Sequence, residues 1–189
     1  MFARIRRKIR NVLQDNSRST FETFTATDSL SFDIAQENVI GVTSVTVNGT
    51  STIGYSYANQ KVDIESGGCS ANDIVIVYYS YHRWSDTELD SYILSALYYL
   101  DCYSYPKSFV AESGNSGIFP IPTKPEQNLI AAIASILINP NMSSYRTSSV
   151  YISYPNKVSK EEKIEKLIAR FKMDREGIGD VIEEDGEDF

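Results

Sequence analysis

The chain has one histidine, two cysteines and one tryptophan in 189 residues. Each shortage closes a route. A histidine-dependent catalyst has only His82 to use. Two thiols, Cys69 and Cys102, cannot build a secreted disulfide scaffold, and no metal-ligand spacing surrounds them. No apolar run approaches the length of a membrane span. The N-terminus lacks the continuous apolar core of a signal peptide. It shares only its richness in Arg and poverty in acid with transit peptides, so the origin reads as cytoplasmic. No P-loop, dinucleotide fingerprint, HExxH or EF-hand pattern occurs, and the "SGGCS" run is too short to cradle a phosphate. No long internal repeat is present. These gaps favour a structural or binding protein over an enzyme, with no cofactor and no metal.

What is plentiful is tyrosine, with 13 copies. Tyrosine buries area yet keeps a polar tip, which suits strands and surfaces that meet partners. Charge is plentiful too, but unevenly placed. The net charge is −7 and the sequence pI about 4.8. Residues 1–18 nevertheless hold Arg4, Arg6, Arg7, Lys8, Arg10 and Arg18 against Asp15 alone. Residues 176–189 hold Glu176, Asp180, Glu183, Glu184, Asp185, Glu187 and Asp188 with no base. The arginines could neutralise a few phosphates. An acidic chain is a poor sequence-specific DNA binder but a reasonable wall for DNA to pass.

The pattern along the chain predicts an α+β protein. A short amphipathic helix is expected over residues 2–14, with Phe2, Ile5, Ile9, Val12 and Leu13 on one face. So short a helix is marginal alone; it needs its own domain, a neighbouring subunit or a larger partner to lie on. Residues 20–82 alternate at period two and read as a small antiparallel β-sandwich or barrel. Asn48-Gly49 marks a tight hairpin and Ala58-Asn59-Gln60 another turn. "IVIVYYSYHRW" is the most apolar strand and so the expected central one.

From residue 85 the period becomes helical without an intervening glycine or proline. Ser85-Asp86-Thr87-Glu88 has the form of a capping box, in which hydroxyl and carboxylate satisfy each other's backbone amides. Thr123-Lys124-Pro125-Glu126 and Ser159-Lys160-Glu161-Glu162 repeat it before two further helical patterns. The helix over about residues 124–138 is apolar nearly all round, hence expected at the centre of a short helical bundle over 85–175. "SVYISY" reads as a possible extended segment, and Cys102 as packed at a helix end. The expected organisation is a basic N-terminal helix (1–18), a β domain (20–82), the bundle, and an acidic tail (176–189).

His82 closes a strand beside Arg83 and Trp84, with no nucleophile motif in company, and reads as a junction residue rather than a catalyst. Cys69 follows Gly67-Gly68 in a loop, with no activating group evident.

This layout resembles the head–tail connector, or neck adaptor, proteins of tailed bacteriophages. The resemblance is carried by "SDTELDSYILSALYYLD", by "EQNLIAAIASILI", and by "SSVYIS" leading to "KEEKIEKLIARF". The β insert "VTVNG…GYSY…VDIE…NDIVIVYYSY" is similar to decoration domains of neck proteins. The match covers roughly residues 40–172 and is one of layout rather than of a diagnostic motif.

The resemblance implies a structural virion protein made in the host cytoplasm and placed at the head–tail interface. It would form a ring of about twelve copies closed by head-to-tail contacts. The portal protein would lie above it and a tail or second neck protein below. DNA would pass through without sequence-specific binding, and no membrane is involved. The direct strand-to-helix junction at 81–85 would then fix the angle between the domains. The alternative is a tyrosine-rich β module that recognises a glycan or host-surface protein, carried on a helical stem. Both termini read as docking arms ordered only in an assembly: Phe2, Arg4, Ile5, Arg6, Arg7, Ile9 and Arg10 at one end, Glu183, Glu184, Asp185 and Phe189 at the other. The resemblance sends the tail toward the portal.

Overall fold

The structure, a computed structural model, describes residues 1–27, 30–141, 144–146, 151–153 and 158–178. The chain is α+β, with four α-helices and antiparallel sheets among the described residues. It opens with α1 (Phe2–Leu13) and continues through seven strands: β1 (Arg18–Thr25), β2 (Ser31–Asp33), β3 (Val39–Val47), β4 (Thr50–Thr52), β5 (Tyr55–Ala58), β6 (Lys61–Ile64) and β7 (Ile74–Tyr81). Then come α2 (Asp86–Cys102), β8 (Val110–Ala111), β9 (Ile118–Phe119), α3 (Lys124–Ile138), β10 (Ser144–Arg146), β11 (Tyr151–Ser153) and α4 (Lys160–Ile178). Two compact units result. One is Asp15–Ser85; the other joins Met1–Gln14 to the chain from Asp86 onward.

In the β unit, β1-β7-β3-β4 form one antiparallel sheet and β2-β6-β5 a second. Strand β7 is paired on both sides, as its apolar continuity predicts. Residues of both sheets share one apolar core: Phe32, Val62 and Ile64 with Val45, Val75, Val77 and Tyr79. Asn48 and Gly49 have φ of 49° and 80°, and Asn59 and Gln60 of 51° and 63°. These left-handed pairs make the tight turns that the sequence marks, because they match the twist of the strands they join.

In the helical unit, α3 is the axis. Every residue from Glu126 through Ile136 is buried, and α1, α2 and α4 all pack on it. Its start is built as expected. The Thr123 hydroxyl accepts from the Glu126 amide, while the Glu126 carboxylate accepts from the Thr123 amide at 2.7 Å. At α4 the Ser159 hydroxyl accepts from the Glu162 amide at 3.1 Å.

Two expectations are corrected. Residues 1–14 are not a separate element: Phe2, Ile5 and Ile9 are buried, and α1 packs on α2 and α3. Cys102 is exposed rather than packed; it lies four residues beyond Tyr98 and eight beyond Leu94, on the outward stripe of α2. Between α2 and α3, Val110–Ala111 and Ile118–Phe119 pair as the small β8–β9 hairpin. Tyr151–Ser153 of the expected extended segment is a strand paired with Ser144–Arg146.

Candidate interaction surfaces

The N-terminal helix presents different chemistry on each side. Phe2, Ile5 and Ile9 fill the unit's own core, so this apolar face is already occupied and is not a docking surface. On one flank Arg6 donates to both oxygens of Asp90, at 2.6 and 2.8 Å, and to Asp86 at 2.5 Å. Arg10 donates to Asp86 at 2.9 Å. Paired spacings of four residues on both helices make this ladder possible. Burial works against the Asp86 charge, yet the Arg10 hydrogen bond and both guanidinium charges hold its carboxyl below the usual range. On the other flank the Lys8 ammonium donates to Asn128 of α3. Desolvation, and then the charge of Lys124, push that ammonium below its ordinary pKa. Arg4 and Arg7 face outward and are exposed. Of the expected docking residues, then, Phe2, Ile5, Ile9, Arg6 and Arg10 hold α1 to its own unit, while Arg4 and Arg7 remain outside. Glu183, Glu184, Asp185 and Phe189 lie outside the described residues.

Where α3 begins, a buried acid organises the segment after α2. Glu126 is 1% exposed. It takes an ion pair from Lys107 at 2.9 Å, the Thr123 amide at 2.7 Å and hydroxyl at 2.8 Å, and the Tyr105 hydroxyl at 3.4 Å. Desolvation alone would raise its pKa; the Lys107 and Thr123 hydrogen bonds outweigh this and pull it down to about 2. The capping box is visible in the sequence, but Tyr105 and Lys107 carry no local signal of this role.

His82 sits at the foot of the β unit. Its Nδ1 is buried without a hydrogen bond and lies 4.0 Å from Asp15 Oδ2. Its backbone amide donates to Asn38, and Asp15 accepts from the Arg83 amide at 2.9 Å. The Arg83 guanidinium lies 5.3 Å from the Trp84 ring centroid. These contacts tie the ends of the β unit together and bring no nucleophile to the imidazole. Cys69 packs against the β core. Burial, followed by the charge of Asp73, pushes its thiol up, away from reactive thiolate. Among the described residues, no group of three or more His, Cys, Asp or Glu could hold a metal ion, and no helix is long and apolar enough to cross a membrane. Replacing His82 with Gln is expected to leave sedimentation unchanged and to move melting by only a few degrees. Loss of assembly in a normally folded variant would give the imidazole a role that these contacts do not.

Exposed apolar side chains form the remaining candidates. In the helical unit they are Leu94 and Tyr98 on α2, Val110 and Phe119 opposite each other on β8–β9, and Ile121. In the β unit Phe21 and Tyr78 are direct cross-strand partners, 58% and 38% exposed, with ring centroids 5.7 Å apart. No protein-family model matches the chain, and no curated protein matches it.

Proposed function

We propose that the chain is a structural subunit of a phage neck, a ring adaptor between portal and tail that lets DNA pass and performs no catalysis. On this reading the two sheets are a small β-sandwich and the helices a short bundle. The observation that carries the proposal is apolar surface left uncovered in both units: Ile53 of the β unit is 97% exposed, and the helical unit has its own set. Phe119 is 68% exposed, Ile121 74%, Tyr98 69% and Val110 62%. All belong to the unit whose own core is already filled by α3 and its neighbours. Several large apolar side chains kept in water on a chain of this size mark contact with other proteins. The neck-adaptor resemblance supplies the kind of contact: neighbouring copies around a ring, with portal and tail components on its two faces. The acidic balance of the chain suits a channel that DNA passes without adsorbing.

Negative-stain microscopy and native mass spectrometry of the purified chain, alone and with its portal, test this. A closed ring, alone or on the portal, is the expected result. A monomer that neither self-associates nor joins portal-bearing heads would sink it.

One observation favours a second reading. The Phe21–Tyr78 pair sits on the serine- and threonine-rich outer side of the four-stranded sheet, as a platform for stacking a sugar or a peptide ring would. A binding module on a helical stem has no need to form rings, so the same mass measurement separates the two.

A further inference from the structure

Three sides of α1 are accounted for: one fills the core, one pairs with α2 and one reaches α3. The fourth is basic. Arg4 and Arg7 are exposed, three residues apart on one face, and no partner among the described residues meets either. Lys8, on the same face as Arg4 by its spacing of four, stands beside the exposed Lys124 at the start of α3. The Lys8 and Lys124 ammonium groups, with two exposed guanidinium groups that meet no partner among the described residues, make an unbalanced positive surface on an otherwise acidic protein. Arginine pairs of this kind suit carboxylates.

The chain carries a matching partner. Lys163, in the first turn of α4, donates to the Pro140 carbonyl at 2.5 Å, just beyond the end of α3. So α4 starts at that end and runs back along α3, burying Ile164, Leu167, Ile168 and Phe171. Eleven residues follow Ile178 (189 − 178), and six of them are Asp or Glu with no base. Fully extended they reach roughly 36 Å. Helices α1 and α4 each pack on α3, but not appreciably on each other. The end of α4 at Ile178, from which the acidic segment continues in sequence, therefore belongs to a helix on a different flank of α3 than the one bearing the arginines. A unit acidic on one flank and basic on another is built for head-to-tail contact rather than for a symmetric pair.

We propose that the segment Asp180–Phe189 of one copy binds the Arg4, Arg7, Lys8 and Lys124 surface of the next copy. The head-to-tail sense rests on the ring reading above; the charge match does not. Each exposed ion pair contributes little, so the contact draws on several at once and weakens with salt.

The test uses full-length chains. Mixed unlabelled and nitrogen-15 protein is treated with a carbodiimide, which joins lysine to carboxylate. Cross-links from Lys8 or Lys124 to Glu183, Glu184 or Asp185 are expected, with mixed isotopes. Their yield should fall at least fivefold in R4E/R7E, and also in about 0.5 M salt. Both arginines are exposed, so that variant should melt within a few degrees of the parent. A second arm pairs R4E/R7E with E183R/E184R/D185R. Each alone should lose the association seen by sedimentation, and a one-to-one mixture should recover it, because each tail then meets an opposite charge. Rings that persist in both variants overturn the proposal but leave the ring reading standing. Same-isotope cross-links alone would mean a contact within one chain, and overturn it too. Absence of these cross-links, with arginine-dependent binding to a short DNA duplex, would assign the surface to nucleic acid instead. A monomer with no cross-link overturns this contact, and the ring reading falls with it only if that monomer also fails to join portal-bearing heads.

Discussion

Ile133→Asp should leave no folded helical unit. Ile133 is fully buried at the middle of α3, in a run with no exposed residue from Glu126 through Ile136. A carboxylate placed there has no partner and no route to water. Its cost, lost packing included, is about 4–5 kcal/mol, a large share of a small domain's stability. Circular dichroism should show loss of helix, and the cooperative melt of the helical unit should vanish. A soluble Ile133→Asp protein with a normal melt would place this side of α3 on the surface.

Glu126→Gln is the second large effect. The amide keeps the shape but can no longer pair with Lys107 or accept as strongly from Thr123. A carboxyl shifted from 4.5 to about 2 contributes about 3 kcal/mol at neutral pH. The group's folded pKa is depressed, so this contribution is complete above pH 4.5 and is lost as pH falls toward 2. The gap between parent and Glu126→Gln in denaturant midpoint should therefore be widest at neutral pH and close across that window. A gap that does not change between pH 7 and pH 2.5 would show that the carboxylate's charge is not what stabilises the start of α3.

These residues also show what a sequence discloses. The Thr123–Glu126 box, the Asn48-Gly49 turn and the paired β7 were readable because each is a local signal, settled within a few residues. The apolar face of α1 was readable as well. Its destination was not: Asp86 and Asp90 lie some eighty positions away from Arg6 and Arg10, and Asp86 had a sufficient local explanation as a cap residue. Matching spacings of four on two distant helices were the available clue. Tyr105 and Lys107 gave none, since a buried carboxylate draws its partners from whatever loop the fold brings near. The exposed stripe of Leu94, Tyr98 and Cys102 was masked by the apolar residues on the opposite side of the same helix.

The helical unit is built from residues 1–14 and from residues made after the β unit. On a ribosome, Phe2, Ile5 and Ile9 of α1 emerge before the helices α2 and α3 on which α1 packs. The β unit, contiguous in the chain, can complete itself first. The partners of α1 on α3 follow only after more than a hundred further residues (138 − 14 = 124). At an ordinary rate of chain elongation that is a delay on the order of ten seconds. For that interval a sticky, positively charged helix is held apart from its seat by a finished domain, and a nascent-chain chaperone would find its best target there.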